Sequence, residues 1–163
     1  MKTLLLPLAL VAALLCSAST VPIPGPVPYH AFCRSMWLFA TPCAAISSAL
    51  EQQIVALSPV TGCGNCFYNL VSVTPLAILA NHTSPDGLTA ETLSFKFLPS
   101  VLTGGCRVNA NSQSIAFTSL LDNGLNYCNL YNILSASGLS AQPDFMEMTN
   151  EWACLGYGLA SCK

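Results

Sequence analysis

Residues 104–139 read G-G-C-R-V-N-A-N-S-Q-S-I-A-F-T-S-L-L-D-N-G-L-N-Y-C-N-L-Y-N-I-L-S-A-S-G-L. Gly104-Gly105 opens the stretch with backbone freedom that suits a hairpin turn or a bulge. A strand-like run over Arg107–Leu121 follows, and Asp122-Asn123-Gly124 turns the chain into a helix-like run that stops at Gly138. Asp122 is placed to accept hydrogen bonds from the free N–H groups of the next turn. Leu125, Cys128, Tyr131 or Asn132, and Leu134 recur near helical spacing, with Asn126, Asn129 and Ser135 on other faces. The rival reading makes Asp122-Asn123-Gly124 a hairpin turn and Tyr127–Leu134 a strand. A strand run feeding a helix, with Cys106 and Cys128 on either side of the turn, points to a stapled α+β domain.

The start of the chain sets the chemistry of those cysteines. Lys2 precedes an apolar run over Leu4–Leu15, and Cys16-Ser17-Ala18 supplies small residues, so residues 1–18 read as a cleaved secretory signal. A lipid-anchored Cys16 would want a smaller residue than Leu15 before it. The run is too short to cross a bilayer, and no later stretch offers about 20 uninterrupted apolar residues, so no transmembrane segment is expected. Without Cys16 the nine cysteines become eight: Cys33, Cys43, Cys63, Cys66, Cys106, Cys128, Cys154 and Cys162. An even number on a secretory route favours disulfides, although eight cysteines allow about a hundred pairings.

Charge excludes several function classes. Beyond residue 18 the chain holds Arg34, Lys96, Arg107 and Lys163 against Glu51, Asp86, Glu91, Asp122, Asp144, Glu147 and Glu151. There is no basic cluster to hold phosphates, which argues against nucleic acid as a partner, and no polybasic run for anionic lipid headgroups. Only 7% of residues are charged while 53% are hydrophobic, where soluble proteins average about 25% charged. Either Ser, Thr, Asn and Gln solvate the surface or part of it is apolar and meant to be covered.

Residues 19–28 form a proline-rich arm, V-P-I-P-G-P-V-P over Val21–Pro28, too short of N–H donors for a helix or sheet interior. It is a stiff lead-in or a docking motif for an aromatic groove. From Tyr29 to Leu57 the pattern turns helical. Phe32, Met36, Trp37 and Phe39 crowd one segment, and Thr41-Pro42 reads as a cap followed by proline at the first helical position. Ile46, Leu50, Ile54 and Leu57 then mark a helix over Thr41–Leu57. Phe67–Ala80 and Thr92–Leu102 read as strands interrupted by Pro75 and Pro99. Leu93, Phe95 and Phe97 alternate there with Ser94 and Lys96. The intervening loop contains Asn81-His82-Thr83, an N-glycosylation sequon that makes Asn81 a candidate glycan site.

Three motifs invite chemistry. Cys63-Gly64-Asn65-Cys66 could be a redox pair or half a zinc site, but no βαβ context, second C-x-x-C or histidine pair accompanies it. Structural disulfides to two different partners are the expectation there. Asp144, Glu147 and Glu151 would share a helix face as an acidic stripe, with no glycine-centred calcium loop around them. A Ser-His-Asp arrangement would have to use His30, beside the arm, or His82, in the sequon loop. No G-x-S-x-G, P-loop or H-E-x-x-H is present. No metal and no cofactor is expected.

Residues 29–163 are thus expected to form a single disulfide-rich α+β domain. One or two helices would pack on a small antiparallel sheet, and Cys154 and Cys162 would pin the tail to the body. The functional expectation is a secreted, extracellular, non-catalytic protein that binds a lipid-like small molecule or an apolar surface of an extracellular protein. Its ligand pocket would lie between the first helical region and the sheet, lined by Met36, Trp37, Phe39, Phe95 and Phe97. A self-associating matrix or coat protein is the alternative, and a secreted hydrolase a distant third.

Overall fold

A computed structural model describes residues 30–59, 67–101, 104–115 and 122–162. In chain order the elements are β1 (Phe32–Phe39), α1 (Cys43–Ala56), β2 (Tyr68–Thr74), β3 (Ala77–Thr83), β4 (Ala90–Pro99), β5 (Cys106–Ser114), α2 (Leu125–Ala136) and β6 (Met146–Met148). Short 3-10 turns cover Leu139–Ala141 and Tyr157–Leu159. The six strands make one antiparallel sheet in the order β2-β3-β4-β5-β1-β6. The first strand therefore lies inside the sheet, between β5 and β6. Both helices pack on the same side of it and touch each other, which gives the α+β arrangement expected from the sequence.

The Phe32–Phe39 segment corrects the helical pattern expected from Tyr29 onward. It is a strand in which Cys33, Ser35, Trp37 and Phe39 are buried while Arg34, Met36 and Leu38 face the other way. Large apolar residues stand on both faces, so the period of two was hidden inside a continuous apolar run, where helix and strand cannot be told apart by pattern.

Helix α1 forms within the expected range. Ile46, Leu50 and Ile54 are fully buried against the sheet. Pro42 stands one position earlier than expected, at the cap itself, and its carbonyl accepts from Ala45 N at 3.0 Å and Ile46 N at 3.3 Å. Thr41 does not cap the helix: its hydroxyl donates to Gln142 Oε1 at 3.2 Å.

Helix α2 settles the rival readings of residues 122–136 in favour of the helix. Asp122 Oδ1 accepts from Gly124 N at 3.0 Å, and Oδ2 accepts from Asn126 N at 2.8 Å. Gly124 takes a φ of 80° at the cap, and Gly138, at φ 73°, follows the helix end. The buried face is rotated from the expected one. It carries Asn126, Asn129, Leu130, Ile133 and Leu134, whereas Leu125 and Cys128 are only partly covered. An apolar count cannot see this, because the two asparagines are buried by virtue of their partners. Asn126 accepts from Ser112 Oγ at 2.6 Å and donates to Ser114 Oγ at 3.0 Å. Asn129 donates to Glu91 Oε2 at 3.3 Å.

Phe67–Ala80 is a hairpin and not one interrupted strand. Pro75-Leu76 is its corner, and the bulge lies at Leu70–Ser72, away from either proline. Pro99 ends β4 opposite Cys106. Gly105 is required where it stands, since a Cβ there would strike the Phe39 carbonyl. The tail acids do not share a helix face. Pro143 precedes extended chain, Glu147 sits in β6 opposite Trp37, and Glu151 accepts from Gly156 N and Gly158 N in a turn.

Among the described residues, three disulfides staple the domain. Cys43–Cys106 joins the start of α1 to the start of β5, Cys33–Cys154 ties β1 to the tail, and Cys128–Cys162 ties α2 to the tail. The tail is pinned as expected. The signal over residues 1–18, the arm over 19–28 and the pair Cys63 and Cys66 lie outside the described residues.

Candidate functional site

The helices cover one face of the sheet and leave the other open. Strand alternation decides what stands on each face. Trp37, Phe39, Phe95 and Phe97 all point to the helix side and are at most 5% exposed. Trp37 and Phe95 meet with ring centroids 5.9 Å apart, in one core cluster with Ile46, Leu50 and Ile54. Four of the five residues expected to line a ligand pocket are thus brought together as packed core. Met36 is not with them: it lies on the open face.

The register of the sheet arranges that open face in rows. Lys96, Asn109, Met36 and Met148 run across β4, β5, β1 and β6. The next row is Leu98, Arg107, Leu38 and Met146, and on the opposite side lie Leu79, Ser94, Asn111 and Arg34. Cross-strand neighbours of this kind are about 5 Å apart, close enough for one ligand to touch several. Two concavities open here. One, of about 680 Å³, is lined by Leu38, Leu98, Pro99, Arg107, Asp144 and Met146 among others. The other, of about 600 Å³, includes Arg34, Met36, Lys96, Asn109, Asn111 and Met148. A smaller one, of about 280 Å³, includes Val71, Leu79, Asn81 and Thr92. Met146 and Met148 are 58% and 57% exposed, so the apolar wall on the β6 side is open to solvent.

Asn81 belongs to β3 and not to the hairpin loop that follows. It lies on this same open face, at the smaller concavity.

The buried side holds two carboxylate networks. Glu91, fully buried, faces His82 with Oε2 2.8 Å from Nδ1, and the His82 ring lies 4.7 Å from that of Tyr68. His82 therefore stands in β3 on the helix side, and not in a loop. Burial pushes the Tyr68 phenol well above its ordinary range, against a hydrogen bond with Asn132 that acts the other way. Glu147 accepts from Ser35 Oγ at 2.7 Å, Trp37 Nε1 at 2.9 Å and Tyr127 Oη at 2.9 Å. Burial, then the charge of Glu147, raises the Tyr127 phenol as well. The Glu147 carboxylate is bonded through both oxygens and ties β6 to β1 and α2, whereas Glu91 is bonded through Oε2 alone and its buried Oε1 has no hydrogen-bond partner.

Among the described residues no group of three or more His, Cys, Asp or Glu side chains could hold a metal ion. No described helix is long and apolar enough to cross a membrane. The chain matches no family model and no curated protein sequence.

The convergence of Arg34, Lys96, Arg107, Leu38, Leu98, Met146 and Met148 was missed in the sequence. A signal was there. R-V-N-A-N-S-Q alternates Arg107, Asn109, Asn111 and Gln113 with Val108, Ala110 and Ser112, and the same period runs through Arg34–Leu38 and Ser94–Leu98.

Proposed function

We propose that this is a secreted, non-catalytic binding protein that holds an apolar or amphipathic ligand on the open face of its sheet. The observation that carries the proposal is the pair of concavities walled by Leu38, Leu98 and Met146 and by Met36 and Met148. Their volumes, about 680 and 600 Å³, fall in the range of small-molecule sites, roughly 300–1,000 Å³. Methionine suits such a wall, because its unbranched thioether adapts to varied apolar shapes. The disulfides support life in an oxidising compartment. The core aromatics serve the fold, and the ligand wall moves to the other side of the same strands.

The test is saturable binding of Nile red, an uncharged hydrophobic dye, to the oxidised protein. Leu98→Asn combined with Met146→Asn should weaken it about tenfold while moving the unfolding midpoint little, since Leu98 is 38% and Met146 58% exposed and neither belongs to the core cluster. Absence of saturable binding in the parent protein, or indifference to the double variant, would refute the assignment.

A further inference from the structure

Every lysine and arginine among the described residues stands on the open face. Arg34, Lys96 and Arg107 occupy outward positions of β1, β4 and β5, and all three are exposed. Each lines one of the two apolar concavities. No carboxylate forms an ion pair with any of them among the described residues, where the one ion pair joins His82 and Glu91. The acidic residues are placed elsewhere. Glu91 and Glu147 point into the core side, Glu51 is on α1, Asp86 is in the hairpin after β3, and Asp122 is bonded into the start of α2. Glu151 is turned onto Gly156 and Gly158. Asp144 alone lines a cavity with one of the cations. The described residues thus carry their lysine and arginine charge on the one sheet face that no described helix covers.

Between Lys96 and Met36 lies Asn109, whose Oδ1 is buried and has no hydrogen-bond partner. A buried amide atom without a partner is costly, and a flip of the amide would bring its N–H₂ donor to the same place. An unpaired amide atom therefore lies just under the floor of the cleft, with a cation on one side and methionines on the other.

Resting on the apolar-ligand reading above, we infer that the ligand is an anionic amphiphile bound as a monomer. Its acidic headgroup lies at Lys96 and Arg107, diagonal neighbours on β4 and β5 beside Asn109, with Arg34 farther along the same face, and its aliphatic chain runs along Leu38, Leu98 and the methionines. Charge complementarity selects an anion over a cation or a neutral chain. Concavities of about 680 and 600 Å³ suit one molecule seated in a cleft better than a flat membrane surface, for which three dispersed cations are few.

Dodecanoate, dodecanol and dodecyltrimethylammonium, each below its aggregation concentration, separate the possibilities by calorimetry and native mass spectrometry. Exposed ionic contacts are weak singly, so the Lys96 and Arg107 pair, with longer-range attraction from Arg34, should make dodecanoate bind about tenfold more tightly than dodecanol. The gap should close in the triple variant Arg34→Gln, Lys96→Gln, Arg107→Gln. It should also close in the parent protein at high salt, a readout that does not depend on the variant folding. Equal binding of dodecanoate and dodecanol, or tighter binding of the cation, overturns the headgroup assignment and leaves the apolar site standing. Failure of all three to bind overturns the apolar-site reading itself. Adherence to anionic vesicles without uptake of monomeric dodecanoate overturns the inference in favour of a membrane surface.

Discussion

Glu147 is the residue on which the wall of the proposed site depends, and its replacement gives a graded test. β6 is only three residues long and pairs with β1 alone. What holds it inward is one carboxylate shared by Ser35, Trp37 and Tyr127. In Glu147→Ala the Trp37 indole N–H, on a fully buried residue, keeps its place and loses its acceptor. An unsatisfied buried donor costs about 1–3 kcal/mol. The Tyr127 hydroxyl adds a similar but smaller amount because it can turn toward water, and the Ser35 hydroxyl can rotate. The total should be about 3–4 kcal/mol. Glu147→Gln keeps an acceptor for Ser35 and Trp37, and its amide can donate to the Tyr127 oxygen. Only the charge assistance is lost, at about 1 kcal/mol. Urea unfolding with the disulfides intact measures both. The Ala variant should also speed hydrogen exchange at Met146–Met148 and weaken dye binding, since Met146 and Met148 form the wall. A cost below about 1 kcal/mol for Ala, or equal costs for Ala and Gln, would show that the carboxylate does not anchor the strand.

Three further outcomes are expected. Trp37→Ala should destabilise the fold by about 3–5 kcal/mol, because it empties a fully buried site, whereas Met36→Asn should leave stability within about 1 kcal/mol and reduce dye binding. Tyr68 and Tyr127 hold their protons above the ordinary value of 10.0, so the native state binds protons that the unfolded state has released. Their contribution is complete below that value and is lost as pH rises beyond it, so alkaline titration should show these phenols ionising only with unfolding. Replacing Cys33 and Cys154 by alanine should cost about 4–5 kcal/mol, because the bond closes a separation of 121 residues, and thermal unfolding of the double variant measures the loss.

The helix over residues 43–56 was legible because its apolar residues recur on one stripe and its other face is polar. The Asp122 turn and the glycine stop of α2 were legible for the same kind of reason: local chemistry acts on the nearest few residues. What the sequence concealed were features set by distant partners. β1 was hidden because both of its faces are apolar, one for the core and one for the open cleft. The burial of Asn126 and Asn129 depends on Ser112, Ser114 and Glu91, which no spacing rule connects to them. The tail acids matched a helical spacing, but Glu147 is fixed by three donors from two other elements. The residues expected to line a pocket followed the same rule. Apolar side chains were recognised, yet which side of the sheet the helices would cover decided that Trp37, Phe39, Phe95 and Phe97 became core and Met36 became surface.

The edges of the sheet bear on the choice between binding and self-association. Exposed strand edges invite pairing with another chain unless they are short, bulged or covered. Here β6 offers three residues, and Thr149 Oγ1 donates to the Arg34 carbonyl just beyond it. β2 is longer and carries exposed Val71 and Val73, but the register shift at Leu70–Ser72 breaks the regular spacing of its ladder. A bulge of that kind twists a strand away from a flat partner. Neither edge therefore favours growth of the sheet from copy to copy, as a matrix or coat protein assembling through its strands would require. Of the exposed apolar side chains, Leu98, Met146 and Met148 line the clefts on the open face that also hold the cations, while Leu76, Leu88, Val101, Trp152 and Leu159 stand singly at the hairpin corners, beyond β4 and in the tail. Stacking two such faces would bring Arg34, Lys96 and Arg107 of each copy against those of the other, with Asp144 as the one carboxylate lining either cleft. Like charges opposed in this way repel, and an anion between them relieves the repulsion. If copies do associate, dimer formation should thus rise with dodecanoate or with salt and be absent at low salt in the free protein, which sedimentation velocity resolves. A stable dimer at low salt without ligand would show that the face is made for a second copy.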